Sequence, residues 1–425
     1  MTIEESAPDI NNEWRLATPG SDGWARSARP DAADKFFMVS ADGHVQEPND
    51  FLETRVDPKW HPRLPGMLSL KDGTEKKLVQ VADGFRKPLK VNDIKFEGED
   101  RLRNRSGRTP DDRIAELAAD GVDAEILFPN KGLTVWATQD PALSHAMCHA
   151  YNEWAWETFA EYNDVLVPMA AIAPGDVDVA IAEIQRCADL GFRGLALPCK
   201  PKFGPPDHND LNYNLREFDP LWAAICEVDL PVTFHVSTGR DPRTSRSRGG
   251  AVINYAVHSL APTMEPIANI CASGVAEQFP NLRFGTVEAG IGWVAWAIQA
   301  MDEAYLKHHM FVRPKLELLP SEFFRRQGFA SFQEDKVGLD LARGHDLVDN
   351  FLWANDFPHH EGSWPHSAQA IERTMGDLTD AERARILGLN TAELFSLPIP
   401  ERYLDHSDGA ASAQRIRSSK IGTGS

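Results

Sequence analysis

Cysteine is scarce in this chain and forms no pattern. Its 5 cysteines, Cys148, Cys187, Cys199, Cys226 and Cys271, include no CxxC pair, so neither a disulfide framework nor a cysteine-rich zinc module is expected. The odd count, with no apolar leader among the opening residues, reads as reduced thiols in a cytoplasmic protein. Positive charge is also in short supply. The 44 Lys and Arg stand against 63 Asp and Glu, a formal net charge of -19. Duplex binding needs a basic face, so nucleic acid is not an expected partner. No apolar run approaches the roughly 20 residues of a spanning helix, so no membrane segment is expected. A glycine-rich phosphate loop after an early strand is missing as well. That weighs against the runner-up fold, an open α/β sheet of the nucleotide-binding kind.

What the chain does contain is a regular alternation. Short apolar runs occur at Phe36–Ala41, Ala124–Phe128, Val165–Ile172, Phe192–Leu197, Pro231–Val236, Leu282–Val287, Phe329–Phe332 and Phe351–Ala354. Helical patterns separate them, at Asp111–Ala119, Pro141–Tyr162, Val177–Leu190, Glu217–Val228, Thr263–Glu277, Trp293–Tyr305 and Asp335–Ala342, and Asp380–Leu394 reads as a closing helix. Continuous apolar strands alternating with helices signal a parallel sheet covered on both faces. Eight such units predict an α/β fold of the (β/α)₈ TIM-barrel type over residues 34–400. Residues 1–33 read as a polar N-terminal arm suited to reach another subunit, and 401–425 as a flexible C-terminal tail. Residues 45–110 are too long and charged for one βα loop, and read as an insertion after the first strand, a lid or an oligomer contact. Within it, KKLVQVADGFRKPLKV carries a hairpin signal, Asp-Gly between alternating residues.

Chemistry-bearing residues gather where barrel strands end. Asp42 and His44 close the first run in Ser-Ala-Asp-Gly-His. Residues two apart on an extended chain share a side, so both can face the barrel mouth. His235 ends the fifth run and Asp356 the eighth. Two carboxylates and two imidazoles suit a divalent ion such as Zn, Mn or Fe, one ion with two conceivable. Glu288, after the sixth run, could be a further ligand, a base or an orienting group. His258 could supply an imidazole if its segment folds inward, and His359 follows Asp356 on one loop, placed to touch substrate. Arg240 and Arg243, in the loop STGRDPRTSRSRGG, suit a carboxylate or an acyl-CoA. His145 and His149 are four apart on a helix but lack the zincin glutamate.

These residues carry a family resemblance. The Asp-Gly-His strand end, PVTFHV, FPNLRFGTVEAG, WANDFPHHEG and the closing ILGLNTAELF make the chain similar to the amidohydrolase superfamily. The similarity is to its amidohydrolase-related (type 2) group, which includes aminocarboxymuconate semialdehyde decarboxylase-like enzymes. The resemblance implies a divalent metal on Asp42, His44, His235 and Asp356, with Asp356 also moving protons, and it suggests a homodimer. It has one departure. Glu288 stands where many relatives carry a histidine. That substitution favours a hydrolase, with metal-activated water attacking an amide, ester, lactone or thioester and with Asp356 or Glu288 as base. The alternative is a metal-dependent non-oxidative decarboxylase of an aromatic or unsaturated acid.

Overall fold

The computed structural model describes residues 13–68, 78–80, 86–88, 98–103, 105–204, 211–238 and 248–403. Eight parallel strands form its centre. They are β1 (Val39–His44), β2 (Ala124–Phe128), β3 (Leu166–Pro168, resuming at Ala170–Ala171), β4 (Leu195–Leu197), β5 (Val232–His235), β6 (Phe284–Val287), β7 (Gly328–Phe332) and β8 (Phe351–Trp353). Each pairs with the next in chain order. β3 joins the two arcs, because Leu166–Pro168 pairs with β2 and Ala170–Ala171 with β4. Beyond β8 the chain returns to β1. The Asp356 N–H donates to the Asp42 carbonyl at 3.1 Å, and the His44 N–H to the Phe357 carbonyl at 2.7 Å. The strand order is therefore that of a (β/α)₈ barrel, whose strand ends converge on one mouth.

Every residue of β2 and β5 is buried, which explains their unbroken apolar character. The helices between strands start and stop where their capping residues dictate. In α1 (Pro110–Ala119), the Thr109 hydroxyl accepts the Asp112 N–H and Pro110 opens the first turn. α2 (Pro141–Phe159) is capped by Asp140. α3 (Val177–Leu190) is capped by Asp176 and ends at Gly191, whose φ of 110° only glycine adopts without strain. α4 (Met264–Ala272) follows a helical stretch from Gly250 that contains a π turn at Ala256–Leu260. α5 (Gly292–Lys307) follows β6 and packs beside α4.

Two expectations changed in detail. The first strand runs three residues later than its hydrophobic pattern, through Asp-Gly-His rather than ending before it. A bulge between Ser40 and Gly43 in the β1–β2 register absorbs the irregularity. The expected hairpin is present, with Leu78–Gln80 antiparallel to Arg86–Pro88, and Gly66–Leu68 adds a third strand. Residues 13–33 lie against their own chain. Arg15 donates to the Gly362 and His360 carbonyls, and Arg29 pairs with Glu372 at 2.8 Å. The tail beyond residue 403 lies outside the described residues.

Candidate metal centre

β1, β5, β6 and β8 each deliver a side chain to the same point. Asp42, His44 and Asp356 are fully buried, and His235 and Glu288 nearly so. The Glu288 Oε2 lies 3.3 Å from the Nε2 of both His44 and His235. Asp42 Oδ1 lies 3.6 Å from His44 Nε2 and 3.5 Å from His235 Nε2, and Asp356 Oδ1 lies 3.5 Å from His44 Nε2. His359 joins them, stacking on His44 with ring centroids 3.9 Å apart and its Nδ1 3.2 Å from Asp356 Oδ1.

Hydrogen bonding fixes which atoms face inward. His44 Nδ1 lies 2.8 Å from the Pro129 carbonyl and His235 Nδ1 2.9 Å from the Val236 carbonyl. A carbonyl can only accept, so each Nδ1 carries a hydrogen and each Nε2 is the atom turned toward the carboxylates. Burial, then the neighbouring His359 and His235, push the His44 imidazole well below its usual range, toward the neutral form. The cluster thus holds two imidazole Nε2 atoms and the carboxylates in mutual contact. Both oxygens of Asp42, both of Asp356 and His235 Nε2 are buried without a hydrogen-bond partner. Burial, then the Asp356 and Asp42 charges, raise the Glu288 carboxyl well above the carboxylate range, and burial and Asp42 do the same to Asp356. Unpaired buried acceptors are costly, and one cation at their centre removes the cost. The donor set of imidazole and carboxylate fits a divalent metal ion.

The backbone is strained where it aims these groups. Glu288 has φ 59° and Asp356 φ 53°, in the left-handed region that non-glycine residues seldom occupy. The Glu288 N–H is held by Ser331 Oγ at 3.2 Å. Such outliers persist only where surrounding contacts over-determine them, and they cluster at functional sites.

Behind β1 lies a support that the sequence reading missed. Arg113, on α1, donates through Nε to Glu125 Oε2 at 2.5 Å, through Nη1 to the His44 carbonyl at 2.8 Å and through Nη2 to the Phe357 carbonyl at 3.0 Å. One guanidinium therefore clips the β1 end to the segment after β8. Gly43 fits there for lack of a side chain, since a Cβ would sit 1.9 Å from Glu125 Oε1. Nearby, Asp120 accepts from the Ser367 N–H at 3.0 Å and the Ser367 hydroxyl at 2.5 Å, and Asn355 Oδ1 accepts from Phe357 N–H at 3.2 Å. A signal was available in the sequence. Glu125 interrupts the apolar run AEILF, and Arg113 shares its helix face with the buried Leu117.

Other expected residues fare differently. The donors of the centre converge in two overlapping groups, Asp42, His44, His235 and Glu288, and His44, Glu288, Asp356 and His359, and His258, on the π turn, is in neither. Arg240 and Arg243 lie outside the described residues. His145 and His149 do approach a carboxylate, Glu183, but Glu183 is already engaged by His149, Arg186 and Asn152. Tyr255, unremarked in the sequence, borders the site. Burial, then the Glu288, Glu361 and Asp356 charges, push its phenol up to about 12. Among the described residues no helix is long and apolar enough to cross a membrane.

Comparison with known proteins places this geometry. The gamma-resorcylate decarboxylase of Rhizobium sp. (strain MTP-10005) is 23% identical over 317 residues, covering 70% of this chain and 90% of that protein. The crystal structure of an amidohydrolase from Mycobacterium avium subsp. paratuberculosis K-10 superposes with a TM-score of 0.69 at 20% identity, covering 85% of this chain and 99% of that one. A dihydroxybenzoic acid decarboxylase from Polaromonas sp. JS666, solved with bound manganese and 2-nitroresorcinol, gives a TM-score of 0.59 at 18% identity, covering 86% and 99%. These relatives correct the hydrolase expectation in favour of the decarboxylase alternative. Glu288 lies 3.3 Å from the Nε2 of both His44 and His235, within the cluster rather than apart from it. The match to the amidohydrolase family model runs over residues 42–397, from the first donor aspartate to the closing helical segment, and the chain belongs to that family.

Proposed function

We propose that the chain is a metal-dependent, non-oxidative decarboxylase of a small aromatic or unsaturated acid. The observation that carries this reading is the ring of buried, unpartnered donors. They leave a place for one cation and for a substrate oxygen beside it, in a chain whose relatives include decarboxylases. One ion is the better count. Both groups of converging donors contain His44, and with Nδ1 committed to Pro129 that ring has a single lone pair to give.

Asp42, His44, His235, Glu288 and Asp356 would hold the ion. When bound, the ion neutralises the carboxylates and polarises the oxygens of the substrate acid. The protein's own part is proton placement. Three carboxylates face one dication, so one of them keeps a proton without a net charge penalty. Asp356 suits that role, because its carboxyl is fully buried and His359 Nδ1, on a part-exposed side chain, lies 3.2 Å away. Asp356 delivers the proton to the ring carbon that bears the carboxylate. The carbon–carbon bond then breaks, its electrons return to the ring, and carbon dioxide leaves. His359 returns a proton to Asp356 from the mouth. The test is carbon dioxide release from hydroxylated aromatic acids by the Mn²⁺-loaded chain. Release of acid from esters or lactones, with no carbon dioxide from any acid, would sink the reading.

A homodimer and a cytoplasmic location belong to the same proposal. The large apolar side chains Val257, Trp296, Met310 and Phe311, left in solvent, support the first, which light scattering can check. The five free thiols support the second.

A further inference from the structure

Beside the donor cluster lies a cavity of about 430 Å³. It shares a wall with the centre, because Ala289 and Gly290 follow Glu288 directly and Phe332 to Asp335 leave the end of β7. Tyr255, whose phenol feels the charges of Glu288 and Asp356, stands at the junction. The far side is apolar, formed by Leu260 and Met264 from the helical stretch over the mouth and by Trp293 and Phe332. Trp293 is fixed in place, its indole N–H donating to the Gly290 carbonyl at 3.0 Å, so its ring is free to face the space.

Two features of this cavity select a ligand. The first is size. It falls within the roughly 300–1,000 Å³ of pockets that enclose drug-sized ligands, more than a single-ring acid fills. The second is charge. No Lys, Arg or His is among the described lining residues, while Glu334 and Asp335 are. Neither acid is free to recruit a cation from the ligand. Glu334 is paired with Arg373 at 2.6 Å, and Asp335 accepts the backbone N–H groups of Ile291, Gly292 and Gly338. A second carboxylate entering here would lose its water with no cationic side chain among the described lining residues to receive it. An uncharged apolar group would instead replace water along Leu260, Met264, Trp293 and Phe332.

We propose, building on the decarboxylase reading, that the substrate carries one carboxylate, gripped at the donor cluster, and a bulky uncharged apolar substituent that occupies this cavity. The substrate is then larger than a dihydroxybenzoate and is not a dicarboxylate.

The test is calorimetric titration of the Mn²⁺-loaded full chain with three kinds of acid. They are 2,6-dihydroxybenzoate, its phenyl-substituted analogues and an analogue with a second carboxylate on the ring. At least one phenyl analogue should bind about tenfold or more tightly than the parent acid. The dicarboxylate should bind about tenfold or more weakly. Met264→Asp and Leu260→Asp should each bring the phenyl-to-parent affinity ratio toward one, a ratio that a general loss of active protein does not move. Phenyl analogues no tighter than the parent, a dicarboxylate tighter than the parent, or a ratio untouched in both variants would overturn the proposal. Binding of no acid at all would overturn it too. Carbon dioxide release is scored separately. An affinity gradient without it refutes the decarboxylase and keeps the cavity's occupant, whereas release without a gradient does the reverse.

Discussion

Gly43→Ala adds one methyl group, and its consequence can be worked out from its neighbours. Gly43 lies in β1 between Asp42 and His44, and its Cβ would stand 1.9 Å from Glu125 Oε1, 2.4 Å from Glu125 Cδ and 2.9 Å from Arg113 Nη2. Neither partner can step aside cheaply. Both are buried, they share a 2.5 Å ion pair, and Arg113 also holds the His44 and Phe357 carbonyls. If the strand moves instead, the cost is that of overpacking, about 1–3 kcal/mol. If the ion pair opens, a buried charge is left alone and the cost rises to about 3–5 kcal/mol. Either route displaces the donors flanking Gly43, and displaced supports typically weaken metal affinity roughly 10–100-fold. Urea denaturation of the metal-free protein measures the first effect and calorimetric Mn²⁺ titration the second. Gly376→Ala is the matched control, since a Cβ there meets nothing within 4 Å, and it should change stability by less than about 0.5 kcal/mol. If Gly43→Ala behaved like the control in both assays, the account of Gly43 as a space-limited support would be wrong.

Three further outcomes follow from the same geometry. Glu288→Gln keeps the side chain's size and removes its charge, so Mn²⁺ affinity and carbon dioxide release should both fall, by roughly 100-fold or more; wild-type affinity in calorimetry would remove Glu288 from the donor set. Chelation should lower the urea midpoint, because an ion at 100 times its Kd stabilises the fold by roughly 3 kcal/mol; coincident curves with and without chelator would argue against a bound metal. Asp120 gives a pH dependence. Burial, against the hydrogen bonds from Ser367 and Asn355, raises its carboxyl from 3.8 to about 6. The folded state therefore binds the extra proton between those values, and its contribution is present below pH 3.8 and lost as pH rises to about 6. Asp120→Asn should flatten the stability profile across that window, by up to about 3 kcal/mol relative to wild type; parallel profiles would show that Asp120 does not carry it.

The sequence alone determined the fold class and most of the donor set. Near-continuous apolar strands alternating with capped helices leave few architectures other than a parallel α/β barrel, and the strand ends mark where donors must lie. That placed Asp42, His44, His235, Asp356 and Glu288 together, because strand-end position is a property of local pattern. Tertiary structure decided what local pattern cannot encode. The φ angles of Glu288 and Asp356 depend on Ser331 and Asp42, from other strands. The Arg113 clip joins residues from opposite ends of the chain, and Tyr255 reaches the site only because its helix folds over the mouth. His258, three residues further on, lies on the π turn and does not join the converging donors. Glu288 shows the division most clearly. Its identity left open a further ligand, a base or an orienting group. Its position, 3.3 Å from the Nε2 of both His44 and His235, puts it within the cluster, and only packing in three dimensions could say so.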